Sequence, residues 1–258
     1  NISFTSNDKI VEQGVVSGSL SDELLKREQI RMTIEAHLDK EILLNPQGIK
    51  VLSLFFIDKV ANYREYDSEG NRRNGKYARM FEEEYNLLIQ KPKYRSLFNE
   101  MKGRDVEVSQ IHDGYFSVDK KSKASNRKDK FECYVDTSWK TAKDDDAFNL
   151  IMRDKERLLS FDTPLRFIFS HSALREGWDN PNVFQICTLN ETTKEIKKRQ
   201  EIGRGLRLCV NQDGERVKGF EVNTLTVIAN ESYEEFAKAL QNEIEEDTGI
   251  KFGYLHKH

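Results

Sequence analysis

Residues 200–207 read Gln-Glu-Ile-Gly-Arg-Gly-Leu-Arg. A helix running through them sets Gln200, Gly203, Arg204 and Arg207 on one side, at i, i+3, i+4 and i+7. Two guanidiniums one turn apart suit a triphosphate, whose charge must be stabilised while a phosphoryl group is transferred. Gly203 and Gly205 each cost a helix about 1 kcal/mol against alanine. Close approach of backbone or ligand is the reason such positions would carry glycine. The plainer alternative is a basic surface helix, because Lys194, Lys197, Lys198 and Arg199 stand just upstream. A second polar run, residues 170–183, reads Ser-His-Ser-Ala-Leu-Arg-Glu-Gly-Trp-Asp-Asn-Pro-Asn-Val between two apolar stretches. Its Gly, Asp, Asn and Pro are also what a tight loop requires.

The elements that must hold these residues belong to a chain of 258 residues, 37% hydrophobic and 33% charged, with a net charge of −3. That length builds one large domain, or one domain with an elaborate insertion. The small net charge argues against a surface devoted wholly to nucleic acid, though not against a local track for it. No apolar run is long enough to span a membrane and no signal-peptide pattern opens the chain. Cys133, Cys187 and Cys209 are widely spaced, and Cys187 lies in an apolar run, so a reduced core thiol is expected. His112 and His171 have no second ligand at sensible spacing and read as polar contacts, not a metal site. The chain opens at Asn1 and ends at His258 as if cut from a longer protein.

Residues 1–20 are polar and Gly/Ser-rich, a linker or poorly ordered entry by composition; residues 21–258 are expected to form the domain. From about Ser21, Ile30, Ile34, Leu38 and Ile42 recur at helical spacing, and the Asn-Pro-Gln-Gly of 45–48 ends the run. Ile30, Met32, Ile34, Ala36 and Leu38 also alternate as a strand would; charge density and length favour helix. Five apolar runs, 51–57, 106–111, 165–169, 183–189 and 225–229, read as strands buried on both faces. Helical stripes separate several of them. One uses Phe148, Ile151, Met152, Leu158 and Leu159; another uses Phe236, Leu240 and Ile244 behind a Ser232/Glu235 capping box. The alternation predicts an α/β fold with a mainly parallel sheet flanked by helices. Two stretches interrupt it. Residues 58–100 hold a turn (68–75) and a helix using Met80, Phe81, Tyr85, Leu88 and Ile89. Residues 114–146 read as a β-hairpin of 115–118 and 131–135 around a basic link, 120–130. That link could grip DNA, although a solvated loop is the better reading.

The pattern Gln-x-x-Gly-Arg-x-x-Arg resembles the last motif of superfamily 2 helicases and translocases. Residues 170–183 are similar to the Gly-x-Asp-x-Pro motif that precedes it in that superfamily. Run 51–57 stands where the preceding motif's strand belongs, and Gln110–Gly114 resembles the short His-Gly strand end that follows it. The resemblance covers about 48–245. The wording "SALREGWDNPNVFQICTLNE", "RQEIGRGLRL" and "VLSLFFIDKVANYR" looks like the restriction (Res) subunits of type III restriction-modification enzymes.

That resemblance implies a RecA-like (P-loop NTPase-like) fold and the second lobe of an ATP-driven DNA motor. It makes Arg204 and Arg207 arginine fingers, with Gln200 at the same interface and Gly177, Asp179 and Gly203 facing ATP. Ser172 would touch a DNA phosphate, and Arg175, Lys59 and Arg64 stand where backbone contacts are expected. ATP and Mg2+ would be bound mainly by the first lobe, since no Gly-x-x-x-x-Gly-Lys-Ser/Thr occurs here. The implied partners are double-stranded DNA, the first lobe and a nuclease domain of the same polypeptide, and a modification (methyltransferase) subunit, in a prokaryotic cytoplasm. By itself the segment is expected neither to hydrolyse ATP nor to cut DNA. The alternatives are the same lobe of a type I restriction or DNA-repair helicase motor, or a RecA-like binding module without catalysis.

Overall fold

The computed structural model describes residues 2–3, 10–11, 22–67, 69, 71–95, 97, 106–116, 150–151, 153–171, 180–190, 195–229, 238, 240–242, 245–246 and 249. Within the stretch read as a linker, β1 (Ile2–Ser3) pairs antiparallel with β2 (Ile10–Val11). The centre is a five-stranded sheet of β3 (Leu52–Phe56), β6 (His112–Tyr115), β7 (Phe167–Ser170), β8 (Val183–Thr188) and β9 (Thr226–Ile228). Its spatial order is β6-β7-β3-β8-β9, and every pairing is parallel. This is the parallel α/β sheet that the alternation predicts, and it is consistent with the RecA-like fold that the resemblance implies. Every residue of β3, β7 and β8 is buried, which is why those runs are apolar on both faces.

One face is covered by α1 (Asp22–Leu44) and α2 (Lys76–Leu88). Ile30, Ile34 and Leu38 of α1 join Met80, Phe81, Tyr85 and Leu88 of α2 over Phe55, Phe167, Phe169 and Cys187. Each such side chain fully buried contributes about 1.5–3 kcal/mol. Met32 is half exposed, so the period of 3.6 wins over the alternation in α1. Gly48, at φ 70°, ends the 3-10 turn Asn45–Gln47. The opposite face packs Leu54, Phe56, Ile168 and Ile186 against Ile151 and Leu158. Leu158 lies on the short helix α4 (Lys155–Leu159), capped by the Asp154 side chain accepting from Arg157 N–H. Burial pushes the Cys187 thiol up to about 12, in keeping with a reduced core cysteine.

The elaboration at 58–100 holds a hairpin, β4 (Arg64–Tyr66) with β5 (Arg72–Asn74), and α2. The run 106–111 departs from the strand expected there. Val108–Ile111 is a helical turn, α3, and the strand begins at His112. Val108 and Ile111, three residues apart, both turn to the core. His112 meets Tyr63 (2.8 Å) and Glu82 (3.2 Å) from the strand itself. Tyr115 closes β6 beside Ser170. The remainder of that hairpin (117–146), Phe148, Met152, Ser232, Phe236 and Ile244 lie outside the described residues. Among the described residues no helix is long and apolar enough to cross a membrane.

Polar groups are buried between α1 and the sheet. Arg166 donates to both oxygens of Glu41 (3.0 and 3.1 Å) and to the Tyr85 hydroxyl (2.9 Å). His37 Nδ1 lies 2.7 Å from Ser53 Oγ, and its Nε2 lies 3.2 Å from Glu41. Burial would raise the Glu41 carboxyl, but Arg166 and His37 outweigh it and hold the group at about 2. Burial pushes His37 down. An unfolded glutamate titrates near ~4.3, so the folded state binds fewer protons in the interval between. Stability from Glu41 is therefore fully present above about pH 5 and lost as pH falls towards about 2; His37, its pKa lowered in the fold, adds to the same acid sensitivity. Glu41→Gln should cost about 3 kcal/mol at neutral pH by leaving Arg166 buried without its counter-charge. Urea unfolding from pH 7 to 2 would check this, with the acid decline shallower in the variant.

Candidate functional site at the arginine turn

The helix α5 (Glu195–Gly203) follows β8. It turns Ile202 inward against Leu225, Val227 and Ala229 and buries Glu201 completely. Arg199, Gln200 and Gly203 face outward. The helix does not continue through Arg207, as the one-sided arrangement of four residues requires. Arg204 N–H reaches back three residues to the Glu201 carbonyl (3.4 Å), and Gly205 N–H to Ile202 (2.9 Å). Arg207 therefore stands on the segment beyond the helix, not on its face.

The two glycines have different reasons. A Cβ on Gly205 would drive into the Leu225 side chain, whereas a Cβ on Gly203 meets nothing within 4 Å. Gly205 serves the backbone, letting the turn lie against the residue that leads into β9. Gly203 leaves open space beside Arg204, room for a ligand.

The two arginines share one electrostatic field. Burial, and then the positive charge of Arg207, lower the Arg204 guanidinium pKa, while Glu201 opposes them. Arg204 is half-buried and Arg207 exposed. Like charges in one field are relieved by an incoming anion, and a guanidinium's fork matches phosphate oxygens. The donor set thus fits the phosphates of a nucleotide, though the described residues include no phosphate-cradling loop.

Beyond the turn the chain makes an excursion back to β9. Cys209 N–H donates to Asn223 Oδ1 (2.9 Å), Val217 N–H to the Cys209 carbonyl (2.9 Å), and Val210 bridges Arg216. Asn182 Oδ1 accepts from Val210 N–H at 2.9 Å. No motif singled out Asn182 or Asn223. Their types are those of turn residues, and nothing local signals partners so distant in sequence.

The other expected site residues lie elsewhere. Lys59 is exposed beyond the carboxyl end of β3. Arg64, expected on DNA, is buried: its guanidinium lies 3.6 Å from Asp113 and over the Phe116 ring. Its charge is committed inside the fold, which corrects that expectation. Because Leu225 precedes β9, the arginine turn sits by the amino edge of the sheet, while Lys59 sits by the carboxyl edge. The sheet does not bring the two together. Ser172, Arg175, Gly177 and Asp179 lie outside the described residues. The flanks of their loop are described: Ser170 beside Phe56 at the end of β7, and buried Asn180 before β8. His112 makes polar contacts to Tyr63 and Glu82, as the sequence suggests.

No family model matches the chain. It is 42% identical over 203 residues to the Res subunit of the type III restriction-modification enzyme EcoPI of Escherichia phage P1, covering 76% of this chain and 19% of that protein. It is 32% identical over 277 residues to the StyLTI Res subunit of Salmonella typhimurium, covering 95% of this chain and 26% of that protein. The chain spans only about a fifth to a quarter of the length of the curated relatives it matches.

Gly205→Ala should destabilise by about 1–3 kcal/mol through overpacking against Leu225. Leu225→Ala should relieve part of that cost in the double variant. Gly203→Ala should be neutral or stabilising by up to about 1 kcal/mol. Chemical unfolding of the parent, the three single variants and the double variant checks the pattern, and equal effects at both glycines would refute the division of roles.

Proposed function

We propose that this chain, homologous to a segment of the Res subunits of type III restriction-modification enzymes, is the second RecA-like lobe of an ATP-driven DNA translocase. The observation that carries the reading is the arginine turn. Two guanidiniums sharing one field stand beside an open glycine, on a segment fixed to a parallel sheet. Arg204 and Arg207 are the arginine fingers, stabilising charge on the transferring phosphoryl group. Gln200 and Gly203, on the outer side of α5, complete the same interface.

ATP and Mg2+ are held mainly by the first lobe, and the metal supplies charge neutralisation at the phosphates. What this chain contributes is orientation and positive charge. Gly177 and Asp179 face the nucleotide from the loop between β7 and β8, while Ser172 and Arg175 of that loop meet the DNA backbone. Lys59 meets a phosphate from the carboxyl edge. The partners are duplex DNA, the first lobe and nuclease domain of the same polypeptide, and the modification subunit.

The test uses a complete Res subunit carrying this segment, with its modification subunit. Arg207→Ala should lower DNA-stimulated ATP hydrolysis about 10³-fold or more while duplex binding persists. Hydrolysis at the parent rate would sink the assignment. Lys59→Ala should weaken binding of any duplex and reduce the salt dependence of log K by about one phosphate contact's slope. An unchanged slope in a titration over salt would remove Lys59 from the interface.

A further inference from the structure

We propose that Asn182 is a positioning residue for the arginine turn, holding the segment on which Arg207 stands to the entries of β3 and β8. The inference rests on the role given to Arg207 above.

Asn182 is fully buried between Pro181 and β8. Its own N–H donates to Asn180 Oδ1 (3.1 Å), closing a turn over the proline. Its side-chain amide then does what a neighbouring strand would do. Oδ1 accepts from Val210 N–H (2.9 Å) and Nδ2 donates to the Val210 carbonyl (2.9 Å). Nδ2 also donates to the Lys50 carbonyl (3.0 Å), at the entry to β3. The two carbonyls fix which end of the amide is nitrogen, because the reversed group would set oxygen against oxygen.

Val210 is three residues after Arg207. On the near side of Arg207, Gly205 abuts Leu225. On the far side Cys209 is bonded to Asn223 and Val210 to Asn182. Residues 206–208 are therefore a short span fixed at both ends. Leu206 and Leu208 are 58% and 39% exposed, so burial of their side chains does little to hold it. The hydrogen bonds at its far end set where the Arg207 backbone lies. Asparagine suits the task by shape. Leucine would leave three backbone groups of Val210 and Lys50 unsatisfied in a buried place, and aspartate would set a charge against two carbonyls.

The test again uses the complete Res subunit with its modification subunit on duplex DNA, comparing the parent, Asn182→Ala, Arg207→Lys and the double variant. Asn182→Ala should lower ATP turnover at saturating ATP about tenfold, as misplacement of a catalytic group does. KM for ATP should move less than about twofold. In the Arg207→Lys background the same change should cost less than about twofold, because the fork it positions is already gone. Asn182→Asp, isosteric and keeping the bond to Val210 N–H, should give an intermediate loss, and replaces Asn182→Ala in the cycle if the alanine variant does not fold. Equal losses in both backgrounds, or parent turnover in the Asn182 variant, overturn the proposal. Arg207→Lys at the parent rate would instead overturn the reading of Arg207, and this inference with it.

Discussion

All five strands of the central sheet run in one direction, so its amino edge gathers segments that enter the strands without a hairpin partner to satisfy their backbone groups. Buried N–H and C=O groups must find partners, and here side chains supply many of them. Lys50 donates to the carbonyls of Leu158, Ser160 and Thr163 at 2.6–2.9 Å. Burial, then Arg166, draw its pKa down to about 7, with Glu41 opposing. Three carbonyls together require the three N–H donors of the ammonium form. Gln212 accepts from Phe161 N–H and donates to the Leu159 carbonyl, and Asn182 spans Lys50 and Val210. The arginine turn lies by this edge, and its geometry is set by these bonds more than by helix propensity.

The second constraint is charge inside the α1 face. Glu41 and Arg166 sit together where either charge, left without the other, would be costly to bury. They lock α1, α2 and the entry to β7 in one arrangement, since Arg166 also reaches Tyr85. His37 and Ser53 extend the polar seam to Gln185 of β8. Helices merely greasy on one side could slide over such a sheet; a seam of directed bonds admits one register. Through it the strand ends that flank residues 172–179 are fixed relative to one another.

Much of the fold can be read from the sequence because its signals are local. Residues 51–57 and 183–189 are almost continuously apolar, broken by Ser53, Gln185 and Thr188, as suits a strand covered on both faces. Ile30, Ile34 and Leu38 repeat at one helical face. The arginine motif was legible as a pair of cations with two costly glycines, and the family wording around it agrees with the relatives. Where local signals compete, reading fails. The 106–111 run has strand composition, but Val108 and Ile111 gain more as a helical turn. Arg64 looks like any surface arginine until Asp113 and Phe116 arrive from 49 and 52 positions further on.

The sequence by itself determined that the chain is α/β with a buried parallel sheet, and that residues 200–207 carry two arginines beside two glycines that a helix would not favour. Tertiary structure decided that α5 stops at Gly203, that Gly205 is there for Leu225, and that Arg207 rides on a span fixed by Asn182 and Asn223. The physical reason is range. Periodicity and composition record what each segment buries. Which amide satisfies which carbonyl, 28 or 132 residues away, is settled only when the whole sheet has closed.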